Sequence, residues 1–395
     1  MHVSDLSFGS SQMFGALIVV CVGLVLAMSV RHFFYASLRR SLALYSWHTL
    51  FSIFYIAYIV NFGGDATMYY VNSLDSDLHF SFGTHAVIFF TSFLSDGFGL
   101  SFVGCSLFFQ MFGFIGLMAF DASLREVTNN KTRGTRMLAS LFVFLPSVSF
   151  WSSGLGKDSI SFFAVGLALW ASLGMRRRWW LLVISIIAML LVRPHMAGIL
   201  GLGLAGSFVL QQRVPMVQRL LFGGLAAASA VVLVPLGLDY AGVAESSGAT
   251  DLIEYIEDRQ VHNLTGGGAV DIANMNLPMQ LFTYLFRPTI VEITDIFSIA
   301  AALDNLILLF LFIVGGWNLI MKPLPVHLLA HNRMFLWIYS AITWAVLAMT
   351  TANLGIALRQ KWMFVPMLVF LLISVMGRPK LQNHSSMDRR IGCQI

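Results

Sequence analysis

Apolar residues in this chain fall into long unbroken runs, separated by short polar punctuation. Runs over roughly 13–30, 41–61, 98–120, 137–153, 159–175, 179–192, 196–210, 220–238, 297–321, 334–352 and 362–377 predict about eleven helices. Crossing the hydrocarbon of a bilayer takes about 20 apolar residues in a helix, and several runs approach that length. A spanning barrel would show short alternating segments instead, so continuous runs specify helices. A further apolar piece, 86–94, is too short to span and reads as re-entrant or interfacial. The runs 179–192 and 196–210 are both short and fit either two spans or one broken hairpin. The expected fold is all-α: a polytopic helical membrane protein with one transmembrane domain, 1–377, and a tail, 378–395.

The punctuation sets an orientation. Cytoplasmic loops of membrane proteins carry an excess of Lys and Arg. Threading the runs by that rule places the N-terminus outside, the C-terminus inside, and outer loops at 62–97 and 239–296. Of 19 acidic residues only Asp121, Glu126 and Asp388 then fall inside. Of 24 Lys and Arg, six fall on the opposite, outer face: Lys157, Arg193, Arg259, Arg287, Arg359 and Lys361. Cations that violate the bias point to an anionic ligand at the outer membrane surface.

Composition narrows the class without changing it. A chain that is 57% hydrophobic and 11% charged is no ordinary soluble domain. The basic balance reflects loops facing anionic headgroups, so no nucleic acid is implied. Cys21 and Cys105 lie inside apolar runs and Cys393 in the tail, which gives no disulfide or metal framework. The first run lacks a basic leader and a clear cleavage site and reads as a retained helix. No internal repeat is evident.

Four segments carry candidate chemistry. In Phe62-Gly63-Gly64-Asp65, two glycines permit a sharp turn and a carboxylate follows at once. Asp65 there can take a proton from a hydroxyl or coordinate a cation, with Tyr69 and Tyr70 stacking on a sugar. The alternative is a solvated turn beside two tyrosines of the interfacial belt. Gly154-Leu155-Gly156-Lys157-Asp158 resembles a nucleotide-binding glycine loop only superficially, because the spacing differs and Asp follows Lys. It reads as a glycine turn entering a helix whose positive end favours an anion, or as a capped helix start. Arg193-Pro194-His195 interrupts an apolar stretch. Its fork of donors suits phosphate oxygens, with His195 as donor or proton shuttle, unless Arg193 simply snorkels. Arg259 lies in the long outer loop, Arg287 near its end, and Arg359 and Lys361 flank the last run as a phosphate clamp or as anchors. Asp304, inside an apolar run, is a functional acid or an internal partner for an arginine. No cofactor is implied, and no divalent cation is indicated.

A carboxylate on a glycine turn, cations at helix ends and a long loop on one face fit glycosyl transfer from a lipid-linked donor. Gly64-Asp65 with Tyr69-Tyr70, Phe150-Trp151 through Lys157-Asp158, Arg193-Pro194-His195 and Phe286-Arg287-Pro288 resemble the bacterial O-antigen and exopolysaccharide polymerase group (Wzy-type). The first-loop acid is also similar to that of GT-C membrane glycosyltransferases. The likeness covers most of the chain as topology and rests on short motifs. It implies a polymerase of the bacterial inner membrane, active face outward, elongating a polyprenyl-diphosphate-linked oligosaccharide. Asp65, Arg193 and His195 would be catalytic, and Tyr69, Tyr70, Lys157, Asp158, Arg259, Arg287, Arg359 and Lys361 would bind substrate. Membrane lipid and other polysaccharide-assembly proteins are the expected partners. The rival reading is a transporter or flippase for a lipid-linked glycan, which would need polar residues along its helices.

Overall fold

The structure is a computed structural model that describes residues 10–75, 77–210, 275–293, 295–321 and 332–377, with isolated positions between 216 and 328. The described residues form helices and no strand. In chain order these are α1 (Ser10–Phe33), α2 (Leu38–Phe62), α3 (Asp65–Asn72), α4 (Thr84–Ser92), α5 (Phe102–Thr128), α6 (Arg133–Val143), α7 (Pro146–Ser152) and α8 (Lys157–Ser172). After them come α9 (Met175–Val192), α10 (Pro194–Leu210), α11 (Leu277–Phe286), α12 (Ile296–Met321), α13 (Arg333–Thr350), α14 (Leu354–Gln360) and α15 (Val365–Val375). The run expected at 220–238, most of the long loop before 275 and the tail lie outside the described residues.

Among the described helices α1, α2, α5, α12 and α13 are long and apolar enough to cross a membrane, and α14 with α15, bent by 61° between them, would make a sixth. The remaining helices of the expected eleven are shorter or more charged. Exposure on α1 and α12 supports a lipid environment. Leu303, Leu306, Phe310, Ile313, Trp317 and Ile320 lie exposed along one face of α12, and Met13, Phe14, Leu17 and Ile18 do so on α1. An apolar face of that extent is a liability in water and a solution in hydrocarbon.

Local chemistry explains where the helices depart from the apolar runs. The run 137–153 contains Pro146, which lacks an N–H and disfavours helix in the residue before it. The helix therefore stops at Val143 and restarts as α7 with Pro146 in its first turn. The run 98–120 begins late, because Gly99 takes a positive φ of 64° and the Ser101 hydroxyl caps Gly104 N at 3.3 Å. It also ends late, at Thr128, so Arg125 is helical rather than part of a basic loop. The short piece near 86–94 is α4 followed by a π turn over Phe93–Gly97. Within the long loop, Asn276 Oδ1 accepts from Met279 N at 3.1 Å and starts α11.

α5, α8 and α15 form the interior. Every residue of α15 is buried. The α5–α8 contact is close because glycines face backbone, a Cβ on Gly166 lying 2.5 Å from Gly116 O; against α7, one on Gly113 would lie only 1.9 Å from Ser152 O. Without a solvent-driven force between helices in lipid, such small-residue contacts supply the packing. The C-terminal carbonyls of α15 are held by cations from elsewhere in the chain. Lys131 Nζ donates to Ile373 O, Ser374 O and Met376 O at 3.0, 2.5 and 2.7 Å. Arg333 donates to Ser374 Oγ at 2.6 Å and Leu371 O at 3.3 Å. Positive charge at a helix C-terminus also complements the macrodipole.

Candidate functional site

The site starts from two glycines. Gly63 and Gly64 end α2 with φ of 78° and 152°, so the chain reverses and α3 begins at once with Asp65. The turn Ser153–Gly156 leads into α8. Gly154 passes against the Tyr55 ring, where a Cβ would come within 2.1 Å, so the turn tolerates no side chain there. α8 then opens with Lys157 and Asp158. α9 ends at Arg193, and Pro194 begins α10. α14, capped by Asn353 Oδ1 accepting from Gly355 N at 2.8 Å, carries Arg359 in its last turn.

These elements bring four charges into one chain of contacts. Arg359 Nη1 donates to Asp65 Oδ2 at 2.8 Å. Arg359 Nε lies 3.3 Å from Asp158 Oδ2, and Arg193 Nη2 donates to Asp158 Oδ1 at 2.6 Å. Asp158 thus bridges two arginines, one of which reaches on to Asp65. The chain grades from wet to dry: side-chain exposure falls from 51% at Asp65 to 18% at Asp158 and 9% at Arg193.

Donor capacity is left over at the dry end. Among the described residues, Arg193 Nε and the buried Tyr284 hydroxyl have no hydrogen-bond partner, while Arg359 Nε has only its ion-pair contact with Asp158. Buried donors without acceptors are costly, and two beside one ion-pair chain favour an anionic group brought in from outside. Tyr69, one turn after Asp65, packs its ring edge by Gly156. Burial, with Asp65 and Asp158 close by, raises the Tyr69 phenol above its ordinary value, so it stays a donor. At the wet end Tyr58, Phe62, Phe150, Trp151 and Phe297 make an aromatic cluster, with Tyr58 and Phe297 centroids 4.9 Å apart and Phe62 largely exposed.

The other expected residues divide. Lys157 is half-buried beside Asp158, and His195 is half-buried one residue into α10. Tyr70 turns toward Leu100 O, 3.4 Å from its hydroxyl, and is not part of the charge chain. Arg287 does not join it either. Its Nε donates to Glu292 Oε1 at 2.7 Å, and Thr289 N and Oγ1 donate to Glu292 Oε2 at 2.8 and 2.9 Å. That pairing, above all with Arg287, holds the Glu292 carboxyl down at about 2.

Lys361 belongs to a second, buried polar group. It donates to Asn305 Oδ1, while Asn305 Nδ2 donates to Pro288 O at 3.0 Å, which links this group to the Arg287 turn. Asp304, beside it, accepts from Ser147 N at 2.7 Å and faces the charge of Lys361 rather than an arginine. Arg259 lies outside the described residues.

Sequence reasoning missed Tyr55, Tyr284 and Asn305. The available signal was a hydroxyl or amide inside an apolar run, since such groups need a partner when buried. Among the described residues, no group of three His, Cys, Asp or Glu side chains could hold a metal ion. Compared with known proteins, the chain matches no family model, no curated protein and no solved structure.

Proposed function

We propose that this chain is a membrane glycosyltransferase of surface-polysaccharide assembly, of the polymerase type. It transfers a glycan from a polyprenyl-diphosphate-linked donor to an acceptor sugar hydroxyl at the outer face of the bacterial inner membrane, with the N-terminus outside and the C-terminus inside. The observation that carries this reading is the meeting of Asp65, Arg359, Asp158 and Arg193, drawn from four separate segments at helix ends.

The chemistry divides along that chain. Asp65, the most exposed of the four, accepts the proton of the acceptor hydroxyl as its oxygen attacks the anomeric carbon. The bond from that carbon to the diphosphate oxygen breaks, and the leaving group departs as an anion. Arg193 and Arg359 receive that charge, the diphosphate oxygens competing with Asp158 for their N–H donors. Tyr284 and Tyr69 supply hydroxyl donors, and Lys157 and His195 stand beside the arginines as further donors. The exposed aromatic cluster around Phe62 offers faces for the sugars or the polyprenyl chain to pack on. Lys361 and Arg287 are bound to Asn305 and Glu292 and are not assigned substrate contacts.

The test uses purified protein in nanodiscs with a polyprenyl-diphosphate oligosaccharide. Wild type should build a ladder of longer lipid-linked glycans, and Asp65→Asn and Arg193→Ala should each abolish it. Saturable donor binding without elongation, weakened by Arg193→Ala, would turn the reading toward a carrier of lipid-linked glycan. Absence of both binding and turnover would end the glycan reading.

A further inference from the structure

The end of the molecule remote from Asp65 carries its own cleft. The C-terminus of α1, the N-terminus of α2 and the C-terminus of α5 meet there with α6. Between them lies a cavity of about 660 Å³, whose lining includes Tyr35, Arg40, Asp121, Arg125, Arg136 and Trp170. A second groove, of about 780 Å³, runs from it along α6 and is lined by Arg133, Arg136, Met137, Leu141 and Phe144. Arg136 and Ser140 belong to both. Where the two meet, the Arg40 guanidinium lies over the Phe144 ring, 4.9 Å from its centroid.

The charges there are unbalanced. Asp121 is shared by Arg40 at 2.6 Å and Arg125 at 2.7 Å, and Glu126 is met by Arg178 at 3.5 Å. With Arg133 and Arg136, five arginines face two carboxylates. Among the described residues no acid pairs with Arg133 or Arg136, and both are exposed. The groove beyond them is apolar: Met137 is 61% and Leu141 44% exposed, on the same helix as the two free arginines. A head of fixed positive charge leading into an open apolar trough, at the ends of helices long enough to cross a membrane, has a complementary ligand.

We propose that this cleft binds an acidic phospholipid, its phosphate on Arg136, Arg133 and Arg40 and one acyl chain along Met137, Leu141 and Phe144. The arginines recognise the phosphate and the trough recognises the chain, so neither part alone is sufficient. Basic pockets between membrane helices attract anionic headgroups in this way. The site is separate from the Asp65 chain and does not depend on the glycan reading.

Native mass spectrometry of the delipidated full-length protein tests it. The probes are dioleoyl phosphatidylglycerol, dioleoyl phosphatidylcholine and sn-glycerol 3-phosphate. Wild type should take up phosphatidylglycerol saturably. Arg133→Glu with Arg136→Glu should weaken that uptake by about tenfold or more. Met137→Ser with Leu141→Ser, which leaves every arginine in place, should weaken it as well. All four side chains are exposed, so folding is checked simply by unchanged circular dichroism and melting. Phosphatidylglycerol uptake that is indifferent to both double variants would overturn the proposal. So would phosphatidylcholine bound as tightly, which would mean annular lipid. Glycerol 3-phosphate bound as well as the lipid would mean a site for soluble phosphates instead.

Discussion

Replacing Asp158 by asparagine keeps the shape of the side chain and removes the charge that two arginines share. The consequences for those arginines differ. Arg359 retains Asp65 at 2.8 Å. Arg193 loses the carboxylate it pairs with among the described residues, and its side chain is 9% exposed, so water cannot take over. Breaking a buried pair by removing one member costs about 3–5 kcal/mol. Because Asp158 is itself 18% exposed and one arginine is still paired, the loss belongs at the lower end, about 3 kcal/mol. A double-mutant cycle isolates the cause. Arg193→Met removes the stranded charge while filling its volume, so Asp158→Asn in that background should cost much less, with a coupling of about 2 kcal/mol. The assay is unfolding by SDS in mixed micelles, followed by tryptophan fluorescence. If Asp158→Asn unfolds with wild type, or if the two substitutions are additive, then the chain of ion pairs contributes nothing to holding α8, α9 and α14 together.

Asp121→Asn provides a contrast. Its partners Arg40 and Arg125 are 23% and 34% exposed and can turn to water, so the loss should be about 1 kcal/mol, clearly smaller than at Asp158 in the same unfolding assay. Gly113→Ala should destabilise by about 1–3 kcal/mol, since its Cβ would fall 1.9 Å from Ser152 O and force α5 away; a melting temperature equal to wild type would count against this helix contact. Glu292 has a lowered folded pKa, about 2 against an ordinary 4.5, so its contribution is present above about 4.5 and is lost as the pH falls toward 2. With both partners over a quarter exposed, screening reduces that contribution to about 1 kcal/mol. The stability gap between wild type and Glu292→Gln should therefore hold above about pH 4.5 and close as the pH falls toward 2, and a pH-independent gap would contradict the assignment.

How much of this could be read beforehand depends on how far apart the partners lie in the chain. The apolar runs located the helices, because hydrocarbon length and continuous apolarity act residue by residue. Pro146 was visible in the run 137–153, yet apolarity alone carried the expected helix through it, and the ring breaks it. Asp158 and Arg193, 35 residues apart, stand at neighbouring helix ends that the charge rule had already placed on one face. The contact of Asp65 with Arg359 spans 294 positions, and only a shared face was legible, not the pairing. Arg287 and Lys361 show the limit of that rule: both break the bias as Arg193 and Arg359 do, yet they are bonded to Glu292 and Asn305 instead. By the charge rule Lys131 is simply one of the cations not on the outer face, between the runs 98–120 and 137–153. Its role depends on carbonyls about 240 residues later, which no local pattern reveals.

The two cations at the C-terminus of α15 bear on how the site can move. Lys131 and Arg333 anchor the last carbonyls, every residue of the helix is packed, and Lys361, just before its start, is tied to Asn305 of α12. α15 is thus a strut, fixed against sliding along its axis or turning about it. Arg359 stands beyond the strut, on a short helix set at 61° to it. A swing of α14 about residues 361–364 would move Arg359 without sliding the strut. A substrate that draws Arg359 away from Asp65 therefore works against a pivot rather than a piston, and the interior of the bundle need not rearrange.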